Sequence, residues 1–248
     1  MFRRYLDKER PFGDVPLPVT IVLVLALIAQ LIWHGSQAPI APRAEDLPQP
    51  LSPGTYIIGS LGEPIATAKV LNLWLQAFDN QPGLSLPLHS LDYSVVIEWL
   101  DTILELDPEG HYPMLVAARV YGSVSDRVRQ REMMAFIFDK FSQEPEKHWR
   151  WLAHAVIVAR HELKDMPLAL KYANALADKA AVSAVPYWAK DMRIMLLEDM
   201  DQVEAAKALV GGLIVSGEVT DPHELDFLKM KLAELEDRMT KSRQDVDK

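Results

Sequence analysis

The stretch SLDYSVVIEWLDTILELDPEGHYP, residues Ser90–Pro113, decides how the rest of the chain is read. After Asp92, Val96, Leu100 and Ile103 recur at i, i+4 and i+7, which is one face of a helix. An aspartate carboxylate accepts a hydrogen bond from a free N–H of the first helical turn, so Asp92 marks a start. Pro108 and Gly110 mark the stop. A segment of this kind is either one helix of a core or one unit of a repeating array.

The downstream sequence favours the array. Pro64, Pro113, Pro145, Pro186 and Pro222 each precede an apolar segment with helical spacing, and proline's fixed φ suits a first turn. Asp92, Asp126, Asp165 and Asp201 precede the segments between them, so about nine helices are expected. The aspartates are 34, 39 and 36 residues apart, within the period of stacked helical hairpins. DMPLALKYANALAD places Ala169, Ala173 and Leu176, and DQVEAAKALVGGL places Ala205, Leu209 and Gly212, at the offsets of Val96, Leu100 and Ile103. A helix with one narrow apolar face cannot bury it alone, so neighbouring hairpins have to stack.

On these residues the chain resembles a degenerate tetratricopeptide repeat. LDYSVVIEWLDTILELDPEG is similar to the second helix of that repeat, with Val96, Leu100, Ile103 and Pro108 at its small, large, alanine and proline positions. KDMPLALKYANALAD follows it less closely, and the first-helix signature W-x2-L-G-x2-Y has no clean match. The resemblance implies an all-α, tetratricopeptide-like solenoid over residues 63–240; a generic helical bundle is the alternative. Asp221 to Glu224 forms a capping-box pattern, and Leu225, Leu228, Leu232, Leu235 and Met239 form a short heptad seam. That seam suits a solenoid cap or an oligomerisation helix. Residues 241–248 read as a disordered tail.

Upstream of the array lies LPVTIVLVLALIAQLIW, Leu17–Trp33, which carries no charge. Counted from Val15, the apolar segment of 19 residues extends about 28 Å at ~1.5 Å per residue, enough to span a bilayer. A membrane anchor over 15–33 is expected; a cleaved signal peptide ending near Ser36-Gln37-Ala38 is the alternative, against which Pro39 counts. Arg3, Arg4, Lys8 and Arg10 precede the span and only Arg43 follows it closely, so residues 1–14 are expected to be cytoplasmic. The long C-terminal part is then extracytoplasmic, in the periplasm if the membrane is a bacterial inner membrane. Residues 34–62, with prolines at 39, 42, 48, 50 and 53, read as an extended linker.

Composition narrows the chemistry. The absence of cysteine removes disulfides, thiolate nucleophiles and Cys-ligated metals. A net charge of -9 argues against nucleic acid as a partner. His154 and His161 are two turns apart, about 10.5 Å, too far for one zinc ion, and neither a nucleophile elbow nor a phosphate-binding loop occurs. Gly211-Gly212, inside a helical pattern, reads as a close helix contact. No cofactor or metal is expected, and the chain reads as a non-enzymatic scaffold.

Charge is unevenly distributed. Leu61–Ala118 holds eight acids against Lys69 alone, net -7, whereas Arg119–Arg160 is net +3. Arg127, Arg129 and Arg131, together with Trp149 and Arg150, form the basic and aromatic candidate contact. Asp101 and Glu105, one turn apart, form the acidic one, with a plain solvated face as the alternative. The expected function is a membrane-anchored adaptor whose helical domain binds protein partners of an envelope assembly, as the layout of membrane-anchored tetratricopeptide proteins suggests. A cytoplasm-facing regulatory scaffold and an envelope enzyme with a helical catalytic domain are the alternatives.

Overall fold

A computed structural model of the chain describes residues 15–36, 44–179, 185–217 and 219–246. The basic tail over 1–14 and residues 37–43 of the proline-rich stretch lie outside the described residues. Helix α1 (Leu17–Ser36) is 20 residues long with a mean hydropathy of 2.2 and no buried residue. At ~1.5 Å per residue it is about 30 Å long, so it is long and apolar enough to cross a membrane.

The rest of the described chain is nearly all helical. Its helices are α2 (Pro53–Gly59), α3 (Pro64–Ala77), α4 (Tyr93–Leu106), α5 (Tyr112–Arg119), α6 (Arg127–Gln143) and α7 (Pro145–His161). They are followed by α8 (Met166–Lys179), α9 (Tyr187–Lys190), α10 (Met192–Asp199), α11 (Val203–Ser216) and α12 (Pro222–Val246). Two-residue strands β1 (Asn80–Gln81) and β2 (Leu84–Ser85) interrupt the series.

A helix begins within two residues of each of the nine expected starts. The caps explain why. Asp92 Oδ1 accepts from the Ser94 N–H at 2.9 Å, Asp126 Oδ1 from Val128 at 2.8 Å and Arg129 at 3.1 Å, and Asp165 Oδ1 from Leu168 at 3.0 Å. Asp201 differs: it sits at φ 56° after α10, and Gln202 holds the cap position of α11. The buried stripe of α11 accordingly moves one residue on, to Ala206 and Val210, and leaves Ala205 and Gly212 exposed. An added Cβ on Gly211 or Gly212 would meet nothing within 4 Å, so the expected close contact there is absent. The helix count also exceeds nine, because α2 forms within the expected linker and the segment after Pro186 breaks at Asp191 into α9 and α10.

Helix α4 is the centre of packing. Nine of its 14 residues are buried, Val96, Leu100 and Ile103 among them, and it touches α2, α3, α5 and α6. Its buried surface therefore wraps well beyond one narrow face. Tyr93 Oη donates to the Tyr121 carbonyl at 2.9 Å, and Tyr121 Oη donates to the Leu75 carbonyl at 3.1 Å, so two buried phenols tie α4, the turn after α5, and α3 together. Trp99 meets Trp74 at a tilt of 50° with ring centroids 4.8 Å apart and donates its indole N–H to the Pro48 carbonyl at 2.7 Å. With Leu47 buried and Gln81 bonded twice to the Glu45 backbone, the described chain from Glu45 onward is bound to the helical domain. The extended linker expected over 34–62 thus does not reach beyond residue 44.

Downstream, α6 packs on α7 and α7 on α8, while α4 also touches α6, α5 touches α7, and α8 touches α10. Helix α10 serves two cores: Met192 and Leu196 join the main one, and Ile194 joins a smaller one with Ala206, Val210, Leu228 and Leu235. The leucine seam of α12 therefore packs largely on α11. Helix α12 continues as far as Val246, through most of the segment expected to be disordered.

Leu100→Ala removes a side chain that is wholly buried at this centre, and a loss of about 2–5 kcal/mol is expected in urea melts. Gly122→Ala would place a Cβ 2.6 Å from Met134 Cε and 2.9 Å from the Ala117 carbonyl, and about 1–3 kcal/mol of destabilisation is expected. Parent-like melting of the Leu100 variant would contradict the central role of α4.

Candidate functional site

The residues singled out by sequence fall in separate places. Arg127 is exposed at the start of α6. Arg129 is 3.1 Å from Glu132 and lies over the Tyr93 ring at 5.5 Å, and Arg131 is 2.9 Å from Asp165. Two of the three arginines are thus engaged within the domain. Trp149 is half-buried and meets Trp188 edge to face at 5.8 Å, with the Arg150 guanidinium 5.1 Å from its ring. Trp151 is half-buried as well, so neither tryptophan is a fully buried core residue.

Asp101 forms an ion pair with Lys140 of α6, so it is a tie between helices as well as a surface charge. Glu105 is exposed. The two carboxylates share a groove of about 360 Å³ with Lys140, Glu144 and His148. That groove holds none of the other candidates.

The histidines are shaped by burial. His148 and His154 are both pushed below the ordinary imidazole range, chiefly by desolvation. His148 Nδ1 and His154 Nε2 are buried without a hydrogen-bond partner among the described residues, which favours the neutral ring. Among the described residues no group of three or more His, Cys, Asp or Glu side chains could hold a metal ion.

A different surface was missed in the sequence. On α3 the exposed positions are Ile65, Ala66, Lys69, Val70, Leu73, Trp74 and Ala77, so its outward stripe carries one charge. Its inward stripe, Ala68, Asn72 and Leu75, is largely apolar too, and a helix apolar on both sides is ordinarily buried on both. In α2 and the turn after it, Ile57, Ile58 and Leu61 are exposed, Ile58 to 82% and Leu61 to 94%. Leu61 is also held at φ 52°, a left-handed conformation that costs a residue with a Cβ about 1–2 kcal/mol. Neither burial nor local backbone preference explains a leucine there. The signal in the sequence was the weak amphipathicity of PIATAKVLNLWLQA, in which Thr67, Lys69, Asn72 and Gln76 are scattered and apolar residues fall on every side of the helix.

Two measurements check this geometry. Glu105→Gln should leave stability within about 0.5 kcal/mol of the parent, whereas an Asp101/Lys140 double-mutant cycle should return a coupling of about 0.2–1 kcal/mol. The two lowered histidines bind protons in the unfolded chain before the folded one, so their contribution is complete above pH 6.5 and is lost as pH falls below it. Thermal melts from pH 7.5 to 5 should therefore fall less steeply for a His148→Gln, His154→Gln variant than for the parent.

No protein-family model matches the chain, and no curated protein or solved structure matches it.

Proposed function

We propose that the protein is a membrane-anchored adaptor whose tetratricopeptide-like helical domain binds a partner protein of a membrane assembly. The observation that carries this reading is the exposed apolar stripe Ile65, Val70, Leu73 and Trp74 on α3. Each such side chain left half in water forgoes on the order of 1 kcal/mol of burial, and in a helical array the outer face of a helix is what the next helix covers. The partnering of α4 with α6, α5 with α7 and α8 with α10 supports a stacked-hairpin reading of the domain.

The occupant is an apolar protein helix. A bilayer surface suits the stripe less well, because Lys69 is the sole base in Leu61–Ala118 against eight acids, and anionic headgroups repel such a region. The apolar helix α1 keeps the domain at the membrane, so the partner is membrane-resident. Four basic residues before α1 support an N-terminus in the cytoplasm and a domain outside it.

A phosphatase fused after Lys248 should be active and a fluorescent protein fused there dark; the converse would reverse the topology. Full-length protein solubilised in detergent should retain one partner in fixed ratio. Leu73→Asp should abolish that retention while Glu105→Gln preserves it. Retention unaffected by Leu73→Asp, or self-association as the sole complex, would overturn the reading.

A further inference from the structure

A second feature lies at the other end of the domain, where α9, α10 and α12 meet. A cleft of about 290 Å³ opens there, walled by Trp188, Met195 and Phe227 and bordered by Lys231. Trp188 is 57% exposed. The cleft lining also includes a carboxylate base, Asp191, in the break between α9 and α10, and Glu224 from the first turn of α12.

This base is built against its own chemistry. Asp191 is only 9% exposed, and the group it faces is another carboxyl, that of Glu224, which lines the same cleft. Glu224 Oε1 is itself buried without a hydrogen-bond partner among the described residues. The expected capping box would turn Glu224 back to the start of α12; in the structure it faces Asp191 instead, while Asp221 Oδ1 accepts from His223 at 2.8 Å. Burial first, and then the neighbouring Glu224 side chain, push the Asp191 carboxyl up to about 8, so Asp191 is largely protonated near neutral pH.

The cations around the pair do not supply the missing partner. Arg193 is 3.4 Å from Asp178, and Lys231 is 3.0 Å from both Glu198 and Glu234. Lys190 and Arg193 only moderate the Asp191 shift, which burial dominates. An acceptor pair at the foot of an aromatic and thioether wall matches a ligand with several N–H donors at the tip of a short alkyl stem. The wall takes the stem, ring faces attract the charge, and the carboxylates take the donors.

We propose that this cleft is a binding site for a primary alkylammonium group, as carried by a lysine side chain or a small free amine. Binding replaces the proton on the Asp191 carboxyl with the ligand's R–NH3+, and that proton leaves to solvent. Asp191, Glu224 and Trp188 are the residues that recognise it. The inference is independent of the docking face on α3.

Calorimetric titration of the full chain in detergent with n-butylammonium chloride tests it, in two buffers of different ionisation enthalpy. Saturable binding with release of up to one proton at pH 7 is expected, tightening as pH rises toward 9. Asp191→Asn or Glu224→Gln should weaken binding at least tenfold, and Trp188→Leu several-fold, with cooperative melts retained. Asp191→Asn should also melt higher than the parent above pH 8, because it removes a buried charge. Tetramethylammonium, which has no N–H donors, should bind at least tenfold more weakly. N-acetyl-lysine amide binding as well as butylammonium assigns the site to protein lysines; binding of butylammonium alone assigns it to free amines. Absence of saturable binding would overturn the proposal, as would equal binding of n-butanol or an unchanged affinity in the Asp191 and Glu224 variants.

Discussion

The burial of α4 on most of its circumference is the constraint from which the rest of the domain follows. An isolated helix of 14 residues is marginal in water, so α4 exists because its neighbours remove Val96, Leu100 and Ile103 from solvent. Buried aromatic residues hold several of these neighbours. Tyr93 and Tyr121 hold the turn after α5 and the end of α3, while Trp99 holds α2, α3 and the chain at Pro48. The buried phenols are pushed well above their ordinary range by desolvation, consistent with hydroxyls that serve only as donors to carbonyls.

That arrangement has a consequence at the start of the series. Helix α3 covers α4 with Ala68, Asn72 and Leu75, while on its opposite stripe Ile65, Val70 and Leu73 stay at least half exposed and Trp74 is partly covered by Trp99 and Phe78. The two ends of the domain are unlike. Helix α12 turns Leu228 and Leu235 inward and a mostly charged surface outward, with Phe227 and Met230 also exposed, whereas α3 turns Val70 and Leu73 outward with a single charge, Lys69, beside them.

The helical character and the helix starts were legible in the sequence because they rest on local chemistry. Asp92, Asp126 and Asp165 cap their helices through their own side chains, and Pro64, Pro145 and Pro222 occupy first turns. What was not legible rests on tertiary context. Asp201 has the right residue type but a left-handed backbone, and the resulting shift of one residue changes which face of α11 is buried. Asp101 reads as solvated until Lys140, 39 residues on, is brought beside it. Asp191 sits inside what reads as a single helix, and its carboxyl meets Glu224 only because α12 packs across the break. The arginines of RVRQR illustrate the same limit, since Arg129 and Arg131 are neutralised by Glu132 and by a residue of the loop before α8.

Accessibility of the α3 stripe in its native membrane tests the central claim most directly. The chain has no cysteine, so Leu73→Cys provides a single site for a maleimide. The account predicts rapid labelling in detergent and in vesicles of pure lipid, and strong protection in native membranes where the partner is present. Equal labelling in native membranes and detergent would contradict a docked partner, and protection already complete in pure lipid would assign the stripe to the bilayer instead.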